Sequence, residues 1–294
     1  MYNILALDGG GIKGIYTLKI LIRLIDKHPD LLSKCDLFAG TSTGAIIAGM
    51  LAYGMPLDDV FTFCRDCVGK VFKDSILDDI KDLGKILGAD YDYKVLKSLL
   101  KKHVEDVKLG DLSRKLLIPT FDLDNEASEN RTWKPKYFNN LQDSDSDELL
   151  RDVIIRSAAA PTYFPVYQGY ADGGLVCNSP AVSAVCQAID SGVELKDISV
   201  LSIGTGYSPT FVSGKRLDWG LAKWAPLLMD VVVDSMAMST NYQCKKLLKD
   251  SYLRINSVIG KKVALDDDGK VSKMIDYADA VELDSSFSWL SKNW

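Results

Sequence analysis

Twice within its first 53 residues, the chain places a short apolar run before a glycine-containing turn and an apolar helix. Residues 4–7 precede a cluster of glycines, and residues 15–27 then carry Ile15, Leu18 and Leu21 at helical spacing. Residues 36–39 and 45–53 repeat this order. Strands that alternate with helices are typical of a parallel sheet. The sequence therefore predicts an α/β fold.

Later segments continue the alternation of strands and helices. Strands are predicted at residues 115–122, 166–170, 198–203 and 252–255. Helices are predicted at residues 57–68, 93–104, 148–157, 180–188, 222–248 and 277–290, with a break in the longest one near Pro226. The less regular residues 69–90 are predicted to form a lid or an insert. Because the sequence contains neither repeats nor a linker, residues 1–294 are expected to form a single domain.

The charge and the apolar pattern limit the classes of function. A formal net charge of −5 argues against nonspecific nucleic-acid binding, which needs a basic face. No apolar stretch approaches the roughly 18 residues that span a bilayer, and no basic segment precedes the first strand as it would in a secretory signal. We therefore expect a cytoplasmic protein that does not bind nucleic acid.

The cysteines do not indicate a metal site. Of six cysteines, Cys64 and Cys67 are the one close pair, and two thiols cannot complete a four-ligand zinc site. A chain of 294 residues does not need disulfides to fold. We expect reduced thiols, no metal and no cofactor.

The segment GTSTG, residues 40–44, lies between a predicted strand and a predicted helix. A nucleophilic serine on such a sharp turn needs small residues on both sides so that the strained backbone can close. The partial positive charge at the start of the next helix favours an oxyanion there. The pattern alone is also compatible with a simple turn of small residues, but its position between strand and helix favours Ser42 as a nucleophile.

The base that would activate this serine is not predicted to be a histidine. The two histidines, His28 and His103, lie at predicted helix ends, and neither follows Asp172 as the order Ser, Asp, His of α/β-hydrolases requires. Asp172 ends a predicted strand, where α/β proteins collect catalytic groups, although aspartate before glycine is also common in ordinary turns. An unperturbed aspartate has a pKa of about 3.9, so Asp172 would accept the proton as the new bond forms, and desolvation would raise its pKa.

The segment DGGGIKG, residues 8–14, follows the first strand. Backbone amides of consecutive glycines can hold an oxyanion in acyl transfer. The same segment satisfies the dinucleotide fingerprint G-x-G-x-x-G through Gly9, Gly11 and Gly14. That alternative needs an acidic residue at the end of the second strand, where this chain has Gly40. A dinucleotide-binding protein is therefore the less favoured alternative.

Three motifs in this order, residues 9–14, residues 40–44 and Asp172-Gly173-Gly174, resemble the patatin-like phospholipase family. The segments RSAAAPTYFP at residues 156–165 and LSIGTG at residues 201–206 are similar to that family as well. The resemblance covers residues 2–206, about two-thirds of the chain. Residues 207–294 are expected to form a C-terminal helical extension of the same domain.

The resemblance implies a three-layer α/β/α sandwich with a mostly parallel central sheet, and metal-free hydrolysis of acyl esters of phospholipids or related lipids. By position it implies that Ser42 is the nucleophile, that Asp172 is the base, and that the oxyanion hole consists of the amides of Gly9, Gly10 and Gly11. The other motif residues would support these turns: Gly14, Gly40, Gly44, Gly173 and Gly174. A general esterase or thioesterase acting on soluble substrates stays open as an alternative.

A lipid substrate implies transient peripheral contact with a membrane or micelle. Apolar candidates for that contact are Tyr207, Phe211, Trp219, Trp224, Met229, Met236 and Met238. We favour Trp219 and Trp224 and expect the helix beyond Pro226 to be core. Many relatives are switched on by a partner or a small signal, and this sequence identifies neither.

Overall fold

The structure is a computed structural model that describes residues 1–71, 89, 91–127, 129–209, 211–214, 217–260 and 270–294. Most of the segment predicted as a lid or insert lies outside these residues. Its first part, up to Val71, continues a helix.

A central sheet of seven strands organises the molecule. In chain order the strands are β1 (Tyr2–Leu7), β2 (Leu37–Gly40), β3 (Lys115–Asp122), β4 (Lys134–Asn139), β5 (Tyr170–Ala171), β6 (Ile198–Ile203) and β7 (Tyr252–Ile255). Their order across the sheet is β4-β3-β2-β1-β6-β7, and β5 pairs with β3. The β3–β4 and β3–β5 pairs are antiparallel, and the other pairs are parallel. The loops after β1 and β2 consequently meet at one edge of the sheet.

One edge of β3 has two successive neighbours. Its residues 115–117 pair with β2, and Phe121 and Asp122 pair with β5. Between them β3 has no ladder partner on this edge within the described residues. The antiparallel β5 therefore directs the chain after it toward the end of β2, where the GTSTG turn begins.

Helices cover both faces of the sheet. They are α1 (Gly14–Ile25), α2 (Thr43–Tyr53), α3 (Leu57–Val71), α4 (Lys94–Val104), α5 (Leu150–Ser157), α6 (Ala181–Asp190), α7 (Leu221–Leu248), α8 (Val271–Asp279) and α9 (Asp284–Asn293). Because side chains alternate along a strand, Leu5 and Leu7 enter the larger core, under α1 to α5 and α8. Ile4 and Ala6 enter the smaller core, under α6 and the end of α7. The predicted three-layer α/β/α sandwich with a mostly parallel sheet is confirmed.

Four features of the secondary structure differ from the sequence-based predictions. Strand β4 was not expected because it contains Pro135 and two lysines, residues that suit the exposed edge of a sheet. The strand expected at residues 166–170 is the two-residue β5, and Val166 is exposed. The single helix expected at residues 277–290 is two helices, α8 and α9. The predicted break near Pro226 is also absent, because α7 is continuous.

Strand β7 pairs with β6 in the central sheet, and α8 packs on α1. The segment after residue 206 therefore contributes a strand to the sheet as well as helices. Within the described residues, no helix combines the length and the hydropathy required to cross a bilayer.

Candidate active site

Ser42 lies on a strained turn between β2 and α2. Its backbone has φ 54° and ψ −118°, a left-handed conformation that is costly for a residue with a side chain. Close packing surrounds this turn: a Cβ on Gly40 would overlap the carbonyl of Gly44, and a Cβ on Gly44 would overlap the carbonyl of Leu7. These glycines let the start of α2 approach the end of β1, and Ser42 stays partly exposed.

Asp172 directly follows β5 and is 6% exposed. Its Oδ1 accepts a hydrogen bond from the amide of Gly174 at 2.6 Å, so the carboxyl group caps the short turn that follows. Gly173 lies against β3, where a Cβ would overlap the carbonyl of Pro119. This approach holds the aspartate against the unpaired edge of β3.

The structure brings the side chains of Ser42 and Asp172 together. Burial raises the pKa of Asp172 to about 6, and the hydrogen bond from the Gly174 amide and the nearby Ser42 side chain partly offset the rise. The contact with Ser42 is the looser one, since Oδ2 accepts no hydrogen bond of ordinary geometry within the described part of the chain. With a pKa of about 6 the carboxyl group is mostly ionised at pH 7, so it can accept a proton from a neighbouring hydroxyl.

The glycine loop after β1 packs directly on the serine turn. A Cβ on Gly9 would lie 3.2 Å from the Cβ of Ser42. The Gly9 amide, however, donates a hydrogen bond to the carbonyl of Asn178 at 3.0 Å. Gly9 therefore does not fit the donor role expected for it, because its N–H group already has a partner.

Gly10 and Gly11 differ from Gly9. Their amides donate no hydrogen bond to any described residue, and Gly11 lines the cavity beside Ser42. Gly11 has φ 57°, a conformation that glycine adopts without strain. A Cβ on Gly10 would overlap the side chain of Thr205, whose hydroxyl donates to the Gly9 carbonyl at 3.2 Å. Gly14 packs on Thr43, where a Cβ would lie 2.5 Å from Oγ1.

An apolar cavity, open on one side, extends from Ser42 between α1, α2, α3 and α4. Apart from Ser42, Thr43 and Gly11 at one end, most of the lining is apolar. The apolar lining includes Ile12, Ile15, Ile46, Phe63, Leu96 and Phe164.

Cys64 and Cys67 also line this cavity. All six cysteines lie in described segments, and none forms a disulfide. Burial raises the pKa of the Cys64 thiol far above its usual range and that of Cys67 to about 12. These thiols therefore act as small apolar side chains in the wall of the cavity.

The histidines lie elsewhere, and neither is among the residues that line the cavity. The ring of His103 is exposed and contacts Phe63 and the carbonyl of Leu99, and His28 packs beside Phe287. Among the described residues, no cluster of histidine, cysteine and acidic side chains is arranged to hold a metal ion.

The first half of α7 differs from expectation. Residues beyond Pro226 were expected in the core, yet Leu228 and Met229 in this half are exposed, as is Met238 farther along the helix. The helix is buried mainly along one stripe near its end, at Ala237, Cys244 and Leu248. Trp224 is exposed, and its ring lies 5.7 Å from that of Trp219 in an edge-to-face arrangement.

Four further residues around the site were not predicted from the sequence: Ser157, Asn178, Thr205 and Arg254. They bond respectively to the Ser42 amide, to the Gly9 amide, to the Gly9 carbonyl and to Asp8. Ser157, Thr205 and Arg254 are not marked by a spacing pattern of their own. Of the four, Ser157 and Thr205 lie in segments already noted for their resemblance, which was the available signal.

A three-layer α/β/α sandwich with a serine on a strained strand-to-helix turn is an arrangement that recurs in the class of α/β serine hydrolases. The model of the family described as patatin-like phospholipase matches residues 5–185, more than half of the chain. The chain belongs to this family, which confirms the resemblance inferred from the sequence. It is accordingly a lipid acyl hydrolase.

Two relatives and one solved structure illustrate the similarity. The chain is 28% identical over 322 aligned positions to Protein teg of Priestia megaterium, with 100% of this chain and 99% of that protein covered. It is 30% identical over 264 positions to the cGAMP-activated phospholipase of Pseudomonas aeruginosa, with 87% and 78% covered. The crystal structure of VipD from Legionella pneumophila matches with a TM-score of 0.42 and 14% identity, over 94% of this chain and 67% of VipD.

Proposed function

We propose that the chain cleaves fatty-acyl ester bonds of phospholipids or related lipids, with Ser42 as nucleophile and Asp172 as its acid–base partner. The observation that carries this proposal is the contact between the partly exposed Ser42 hydroxyl and a buried carboxyl group whose pKa is about 6. A base with a pKa near the working pH balances proton affinity against the fraction that is ionised.

In the first half of the reaction, Ser42 Oγ attacks the ester carbonyl carbon while its proton passes to the Asp172 carboxylate. The carbonyl oxygen becomes an oxyanion, and the amides of Gly10 and Gly11 donate hydrogen bonds to it. Collapse of the tetrahedral intermediate breaks the ester bond, and Asp172 returns the proton to the leaving alcohol. The acyl group is then bound to Ser42 as an ester.

In the second half, water attacks the acyl ester and gives its proton to Asp172. Release of the fatty acid restores the Ser42 hydroxyl with that proton. One donor in an oxyanion hole typically stabilises the transition state by about 3 kcal/mol. We assign this role to Gly10 and Gly11 and omit Gly9, because the Gly9 amide is bonded to Asn178.

The apolar cavity beside Ser42 supports an acyl chain as the part of the substrate that enters the protein. Burial of methylene groups against the cavity wall is favourable by about 0.8 kcal/mol each, whereas a polar acyl group would lose its hydration there.

Peripheral contact with the lipid surface is part of the proposal, and the exposed Phe211 and Trp224 support it. Replacement of Trp224 by Ala should then weaken co-sedimentation with phosphatidylcholine vesicles and leave hydrolysis of a short soluble ester unchanged. If the variant binds the vesicles as well as wild type does, Trp224 does not contribute to the contact with the lipid surface. Activation by a partner or a small signal stays a prediction, supported by the name of the Pseudomonas relative.

The central test is lipid analysis of mixed phospholipid vesicles treated with wild type, Ser42→Ala and Asp172→Asn. Each variant should lose activity by roughly 10³-fold or more, as serine hydrolases do when one catalytic group is removed. Matched controls are Ser33→Ala and Asp190→Asn, two exposed positions outside the three motifs and outside the cavity lining. Unchanged turnover in Ser42→Ala would remove the proposed mechanism, and a preference for water-soluble esters without any rate increase on vesicles would favour the alternative esterase.

A further inference from the structure

The hydroxyl of Ser157 links three separate segments of the site. Ser157 is the last residue of α5 and is fully buried. Its Oγ accepts a hydrogen bond from the Ser42 amide at 3.1 Å and donates one to the carbonyl of Pro119 at 2.7 Å. One small side chain therefore satisfies a donor of the serine turn and an acceptor of β3.

The Pro119 carbonyl needs this partner because of its place in the sheet. Pro119 lies on the stretch of β3 between the end of its pairing with β2 and the start of its pairing with β5. A buried carbonyl without a partner is costly. Gly173 packs at the same point, where a Cβ would lie 2.8 Å from Ser157 Oγ.

The segment that follows Ser157 also fixes the backbone of Asp172, whose amide donates to the carbonyl of Ala159 at 3.0 Å. Ala158 and Ala160, in the same segment, line the cavity beside Ser42. The backbones of the serine and of the aspartate are thus attached to one short segment, although the two residues are far apart in the sequence.

We propose that Ser157 is a positioning residue that sets the approach of Ser42 Oγ to the Asp172 carboxylate. The inference rests on the proposed function. The Ser42 backbone is strained, and its amide has no other partner among the described residues. Removal of the Ser157 hydroxyl would therefore let the turn relax and move Oγ relative to Asp172. A displacement of about 1 Å in such a pair can lower the rate roughly 10²-fold.

The test compares Ser157→Ala with wild type in kcat and KM on phospholipid vesicles, and in the rate of labelling by a fluorophosphonate probe. We expect kcat and the labelling rate to fall together by roughly 10²-fold, with KM within about threefold of wild type. The control is Ser199→Ala, a fully buried serine of β6 whose hydroxyl bonds to the Ser251 carbonyl. It should lower the melting temperature without changing the labelling rate of folded protein.

Two outcomes would overturn the inference. Wild-type kcat and labelling in folded Ser157→Ala would show that the hydroxyl only stabilises the fold. Ser157 would also have a purely structural role if Ser157→Ala and Ser199→Ala lose the same fraction of activity, and if that fraction equals the fraction of protein that is unfolded in each variant. Ser42→Ala, measured alongside, separates this result from a failure of the proposed function: if Ser42→Ala retains activity and labelling, the assignment of the nucleophile fails first.

Discussion

Asp8 and Arg254 form a buried ion pair directly beneath the glycine loop. The two residues are 246 positions apart, and their side chains are 3% and 8% exposed. Both guanidinium amino groups bond to the carboxylate, at 3.2 and 2.5 Å, and Nη1 also donates to Ser202 at 2.8 Å. Strand β7 thereby fixes the residue that precedes Gly9, and the segment after residue 206 takes part in shaping the site.

Replacement of Arg254 by Met should destabilise the protein by about 3–5 kcal/mol, because the charge of Asp8 would stay buried without its partner. Urea denaturation followed by circular dichroism measures the change. The double variant Asp8→Asn with Arg254→Met should recover part of the loss, since the uncompensated charge is removed. A destabilisation below about 1 kcal/mol in the single variant would mean that Asp8 finds water or another partner.

The pH dependence of activity should follow the ionisation of Asp172. Because the carboxylate is the proposed proton acceptor and its pKa is about 6, kcat/KM should rise from pH 4 to pH 6 and level off above pH 7. A soluble ester substrate avoids effects of pH on vesicles. A profile that is flat between pH 4.5 and pH 7 in folded protein would contradict the proposed role.

The same carboxyl group should make the protein less stable at neutral pH than an uncharged residue would. The folded-state pKa lies above the unfolded value, so the folded state binds the extra proton, and stability falls as the pH rises from about 4 through 6. Asp172→Asn removes this ionisation and should gain up to about 3 kcal/mol relative to wild type between pH 4 and pH 8. Denaturation curves at both pH values give the difference. If the difference in free energy of unfolding between wild type and Asp172→Asn does not change with pH, the carboxyl group has similar pKa values in the folded and unfolded states.

The preference of the enzyme for long or short acyl chains should depend on the width of the cavity beside Ser42. Ile46 lies one helical turn after Ser42 on α2 and lines the cavity, so Ile46→Phe should reduce the space available near the ester. We expect kcat/KM for long-chain p-nitrophenyl esters to fall by roughly tenfold or more, with short-chain esters nearly unaffected. Ile189→Phe, on an exposed position of α6, is the matched control. An equal loss for both chain lengths would indicate a general disturbance of α2.

Much of the fold and part of the site followed from local sequence. The apolar pattern and the turn residues predicted the bounds of β1, β2, β3 and β6 within one or two residues. Each of these strands is a short apolar run between residues that interrupt regular structure. Prediction failed at β4 and β5. Strand β4 contains lysines and a proline, which suit only the edge of a sheet. Strand β5 is two residues long and forms because β3 has an unpaired stretch beside it.

The sequence by itself determined that Ser42 lies on a strand-to-helix turn, because the small residues of GTSTG admit that sharp turn, and that no histidine follows Asp172. Only the tertiary structure decided that Ser42 meets Asp172, that the Gly9 amide is taken by Asn178, and that the first half of α7 is exposed. Local spacing encodes the conformation of a turn, because neighbouring residues set its sterics. Contacts between residues more than a hundred positions apart depend on which strand edges and helix faces meet. Serine and asparagine are common residues, and no local sequence pattern predicts which distant residue they will bond to.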